Sequence, residues 1–230
     1  MNGNSIALRR KRSSFAALVA LFSAIAVLAV VGTRESHAAG HDHGVAAATS
    51  SGKAVAFHDA MRALWEAHGA WTHMVIVSFV SGNPDLKAEE RVLLQNQVDI
   101  GNAVKPYYGA AAGNKLIALL KAHILGAVTV LEAAKSGDKT KLAHAVAAWS
   151  ANGRQIADFL HAANPHAWSR TTMRAMMKTH LDQTLAEATH RLQGNYAADI
   201  ADYERIHRHI LEMADTLSAG IMAQFPGRFR

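Results

Sequence analysis

The sequence has no cysteine, only four prolines in 230 residues, and aromatic side chains at 7%. The missing thiols exclude a disulfide framework, thiolate catalysis and cysteine-ligated zinc. Also lacking are a glycine-rich phosphate loop, a serine nucleophile elbow and any sustained alternation of apolar with polar residues. Nucleotide-dependent transfer and a β-sheet fold therefore have no support. Surplus basic charge is scarcer than the net +6 suggests. Residues 1–38 hold five of the 24 basic side chains (Arg9, Arg10, Lys11, Arg12 and Arg34) and one of the 18 acidic ones, Glu35. The remainder carries 19 basic against 17 acidic residues, or +2, and no nucleic-acid partner is expected.

Arg9-Arg10-Lys11-Arg12 precedes an apolar or small-residue run from Phe15 to Val31, after which Gly32, Thr33, Arg34 and Glu35 restore polarity. That order of charged, apolar and polar regions predicts a secretory signal over residues 1–38, with Ser36-His37-Ala38 offering the small residues that a cleavage site needs. The expected location is periplasmic or secreted. The alternative is an uncleaved anchor through residues 15–31, the one expected membrane contact, since the run approaches the roughly 17–25 residues that span a bilayer. Cleavage after Ala38 exposes Ala39-Gly40-His41, whose amine, backbone amides and imidazole form a four-nitrogen set suited to Cu(II) or Ni(II). Residues 39–56, rich in Ala, Ser and Gly, are expected as a flexible linker.

From Phe57 onward apolar residues recur at spacings of three and four. Breaks at Ser81-Gly82-Asn83-Pro84, Lys105-Pro106, Ser136-Gly137-Asp138, Asn164-Pro165 and Gly194-Asn195 divide this pattern into six predicted helices. Their ranges are about 57–82, 86–105, 109–136, 139–163, 168–193 and 196–223. The halves match in chain order: Leu64 to His68 with Ala148 to Asn152, Asn83-Pro84 with Asn164-Pro165, Gln97-Val98-Asp99 with His180-Leu181-Asp182, and His123-Ile124-Leu125 with His209-Ile210-Leu211. The expectation is a single all-α antiparallel bundle over residues 57–226, built by duplicating a three-helix unit, with repeats at about 57–136 and 139–223.

Polar side chains fall on the apolar stripes of these helices. His68 lies among Phe57, Met61, Leu64 and Trp65, His123 among Leu116, Leu119 and Leu120, and His180 among Met173, Met176, Met177 and Leu181. Asn152 takes the equivalent position in the fourth helix, and Glu187 lies two turns beyond His180. Burying such groups unpaired costs a few kcal/mol each, so they must find partners. Imidazoles and a carboxylate converging from separate helices are how bundles hold metals. The candidate ligands are His68, His123, His180 and Glu187, with Asp99, Gln97, Asn152, His207 and His209 secondary. Copper or zinc is favoured because nitrogen donors outnumber carboxylates. Two rival readings are a non-enzymatic interaction or sensory module, in which the same groups form a structural network and a protein or small molecule is the partner, and an enzyme with a His/Glu acid–base pair. A di-iron site is not matched, because His190 and Glu204 of the two Glu-x-x-His strings fall off the stripes. The four tryptophans and the Met173, Met176, Met177 and Met213 series are expected as packing.

Leu64-Trp65-Glu66-Ala67-His68 with Trp71-Thr72, Gln95-Asn96-Gln97 with Asp99-Ile100-Gly101-Asn102-Ala103, Lys105-Pro106-Tyr107-Tyr108-Gly109, Met213-Ala214-Asp215 and Gln224-Phe225-Pro226 resemble a functionally uncharacterised family of bacterial all-helical proteins. The resemblance spans about residues 57–229 and implies one helical domain without specifying a chemistry.

Overall fold

The computed structural model describes residues 44–230, with side chains from Gly52 onward. The expected signal segment and the Ala39-Gly40-His41 set lie outside the described residues. The chain forms five helices: α1 (Gly44–Ser81), α2 (Leu86–Ser136), α3 (Lys139–Ala163), α4 (Arg170–Leu192) and α5 (Tyr196–Gln224), followed by a 3₁₀ turn at Pro226–Arg228. No strand occurs among the described residues. The all-α expectation holds.

Two expectations about boundaries are corrected. Residues 44–56, expected as linker, belong to α1. The alanines at 46, 47, 48, 54 and 56 explain this, alanine being the strongest helix former. The predicted second and third helices are both present as the two arms of α2, and only the boundary between them moves. The bend falls not at Pro106 but at Gly109, whose φ of 83° and ψ of 166° a residue with a Cβ rarely adopts. Pro106 is accommodated inside the first arm. Beyond Gly109 the second arm doubles back so closely that the Gly101 Cα faces the Gly113 carbonyl: a methyl added at Gly101 would lie 2.9 Å from that oxygen.

The remaining breaks become helix ends. Asp138, Ser169 and Asn195 cap the N-termini of α3, α4 and α5 by accepting backbone N–H bonds. In space α1 packs against α2 and α5, α2 against α3, α3 against α4, and α4 against α5, closing a ring. The ring closes through Arg62 and His58 of α1, which bond Asp215 of α5 at 2.6 and 2.9 Å. The interior holds Met61, Trp65, Ile100, Leu116, Leu120, Trp149, Ile156, Trp168, Met177, Ile210 and Ile221. Trp168 anchors one end: its indole N–H donates to the Thr216 carbonyl at 3.2 Å. Contacts between α1 and α4 cross the ring's interior, and polar side chains supply part of them.

Candidate functional site

His68 of α1, His123 of the second arm of α2 and His180 of α4 converge in the interior, each 3–4% exposed. The His180 ring centroid is 5.8 Å from that of His68 and 5.9 Å from that of His123. Their partners differ. Gln97, fully buried, donates to the Leu93 carbonyl at 2.8 Å and to Asn96 Oδ1 at 3.0 Å, and its amide nitrogen lies 3.1 Å from His68 Nδ1. Asn152 donates to the Leu119 carbonyl at 3.1 Å, which turns its Oδ1 toward His123. His123 Nδ1–H therefore donates to that oxygen at 2.9 Å and Nε2 keeps its lone pair. His180 Nδ1 is buried without a partner. Trp149 stacks on the His123 ring at 5.2 Å and Trp65 meets His68 edge-on at 5.8 Å.

Burial sets the charge of this trio. It pushes the His68 pKa down to about 3, with the charge of His123 adding to the effect. It pushes His123 to about 4 against the opposing bond to Asn152, and His180 well below its ordinary value, reinforced by His68, His123 and His209. Three uncharged imidazoles thus stitch α1, α2 and α4 together at neutral pH.

Glu187 does not join them. Seven residues separate it from His180, which is about 10 Å along a helix at 1.5 Å per residue. A shared face is not a shared level. Glu187, 1% exposed, instead accepts from His73 Nδ1–H of α1 at 2.6 Å. The His73 ring lies 4.4 Å from the Tyr203 ring of α5. Asp199, in the first turn of α5 and fully buried, completes the group. One ligand atom each from His73, Glu187 and Asp199 lie within 4.8 Å of one another, and among the described residues no other three His or carboxylate side chains approach so closely. Asp199 Oδ2 accepts from Arg191 Nη1 at 3.1 Å, whereas Oδ1 is buried without a partner. Burial raises the Glu187 pKa, and His73 opposes the rise. One turn further, Asp202 accepts from His190 Nδ1 at 2.6 Å and pairs with Arg205.

The secondary candidates separate cleanly. Asp99 is exposed and accepts from Gln95 at 2.9 Å, while Asn152 orients His123. His207 turns outward to Glu66 at 3.3 Å, and His209 turns inward, donating from Nε2 to the Met176 carbonyl at 3.0 Å. Neither His73 nor Asp199 was a candidate from sequence. His73 sits five residues past His68, about 140° around the helix from the apolar stripe, and Asp199 looks like an acid placed to complement a helix N-terminus. The available signal was charge density across the Gly194 turn, with Glu187, His190 and Arg191 on one side and Asp199 and Asp202 on the other.

Comparison of the chain with family models, curated proteins and solved structures finds no match.

Proposed function

We propose that this chain is an exported helical-bundle protein that binds one divalent transition metal ion, zinc or copper, through His73, Glu187 and Asp199. The observation that carries this reading is Asp199 Oδ1: a fully buried carboxylate oxygen with no hydrogen bond, in a group whose three ligand atoms lie within 4.8 Å of one another. An orphaned buried acceptor of this kind costs about 1–3 kcal/mol, and coordination would remove that cost. One imidazole nitrogen with two carboxylates is a donor set that divalent zinc accepts. The His68, His123 and His180 trio supports the reading indirectly, as a rigid uncharged strut that holds α1 against α4 one level away. The wider spacing of the trio argues against it as the ligand set. The signal at residues 1–38 supports export, and burial of the matched residues Trp65 and Trp149 supports the duplication.

Elemental analysis and metal titration, with zinc and with copper, of protein expressed without a histidine tag test this. One ion per chain is expected, with affinity falling at least 100-fold in Glu187→Gln and Asp199→Asn. Folded wild-type protein that binds neither ion at micromolar concentrations would overturn the proposal.

A second reading, a purely structural clasp at the α4–α5 turn, is favoured by the partners already present: His73 on Glu187, Arg191 on Asp199, and His190 with Arg205 on Asp202. In that case Asp199→Asn lowers thermal stability while zinc leaves both proteins unchanged.

A further inference from the structure

Arg191 stands beside the proposed centre in a role that a permanent metal site would not require. Its Nη1 holds Asp199 Oδ2 at 3.1 Å, its Nε is buried without a partner, and its guanidinium carbon lies 4.8 Å from the Tyr196 ring centroid. Its charge reaches Glu187 as well as Asp199. Coordination requires a neutral His73, so in the ligating set the two carboxylates carry −2 and Arg191 brings the group to −1. Adding a divalent ion to that set leaves a buried +1, whereas departure of the guanidinium leaves zero. Uncompensated buried charge is strongly disfavoured, so ion and guanidinium exclude one another. Tyr196, 60% exposed, provides a place to go: a guanidinium released from Asp199 keeps its cation–π contact while its head turns to water.

We infer that Arg191 is the resident counter-ion of the His73, Glu187 and Asp199 centre, occupying Asp199 when no metal is bound and giving way when one enters. This rests on the metal-binding reading and deepens it. The centre is an exchangeable one, matched to reversible loading of a divalent cation rather than to a structural ion locked in at folding.

The test uses the full chain with Zn(II) as the probe. Arg191→Met is expected to bind zinc at least tenfold more tightly than wild type in chelator competition. In wild-type protein, saturating zinc is expected to increase phenylglyoxal labelling of Arg191 severalfold, located by peptide mass spectrometry, with Glu187→Gln showing no increase. The labelling needs no change at Arg191, so it decides the matter even if Arg191→Met fails to fold. Wild-type protein that binds zinc with labelling of Arg191 unchanged or reduced would overturn the exchange and leave the centre standing. Equal or weaker zinc affinity in folded Arg191→Met would do the same. Absence of zinc binding in both proteins would overturn the centre itself.

Discussion

Lowering the pH from 7 to 4.5 is expected to remove most of the stability of the metal-free protein. His68, His123 and His180 have folded pKa values below the ordinary 6.5, two of them about 3 and about 4, because burial disfavours the imidazolium. In the unfolded chain the same rings take protons near 6.5. Below that pH the unfolded state binds more protons, so stability falls as pH falls and is retained above it. Two pH units below 6.5 amount to roughly 3 kcal/mol per ring, against a typical total of roughly 5–15 kcal/mol. Glu187 acts in the opposite sense, since its raised pKa favours the folded state on protonation, but it is one group against three. At Asp215 the upward push of burial is outweighed by Arg62 and His58, so the stability this carboxyl contributes is present above its ordinary value of 3.8 and is lost only below it. Urea titrations at half-unit pH steps, followed by circular dichroism, would show the loss. A curve flat between pH 7 and 4.5 would refute it. His180→Leu, which removes one proton-binding ring and its unpartnered nitrogen, is expected to shift the fall to lower pH.

The second large effect concerns two glycines that respond in opposite directions to the same change. Gly101→Ala is expected to destabilise by about 2 kcal/mol or more, whereas Gly69→Ala is expected to stabilise by about 0.5–1 kcal/mol. Both lie inside helices, where alanine is intrinsically better than glycine by about that smaller amount. At Gly69 the new methyl meets only Ile210 Cγ2 at 3.6 Å, an ordinary contact, so propensity decides. At Gly101 it meets the Gly113 carbonyl at 2.9 Å as well as the Ile117 side chain, and a backbone oxygen cannot rotate away. Separating the arms of α2 costs more than propensity returns, overpacking being worth about 1–3 kcal/mol. Chemical denaturation of the two variants checks the signs. A stabilised Gly101→Ala would mean that the arms are not in contact.

Much of the architecture could be derived from residue order. The turns at Asn83-Pro84, Gly137-Asp138, Asn164-Pro165 and Gly194-Asn195 fall between helices because their residues cap or terminate by local chemistry. The bend in α2 lies at Gly109 and not at Pro106, because the reversal depends on a positive φ that only the fold reveals. The convergence of His68, His123 and His180 was visible as polar groups on apolar stripes. Glu187 was correctly expected to be buried, yet its level along α4 depends on which rung of α1 and α5 it meets. Periodicity reports angle around a helix, not height relative to a neighbour, and this is why His73 and Asp199 escaped notice. The same limit left His207 and His209 unresolved until packing turned them to opposite sides.

The ring of helices also brings residues 53 and 230 side by side, with Lys53 Nζ donating to the Arg230 carbonyl at 2.8 Å. Positions brought this close make the order of the segments between them separable from the shape they build. A circular permutant that splices these two positions through a few glycines and opens at the exposed Gly137 turn would keep α2 to α5 whole and α1 from Lys53 onward. Its recovery in folded form would show that the architecture resides in the packing of the rods and not in the direction from which they are synthesised.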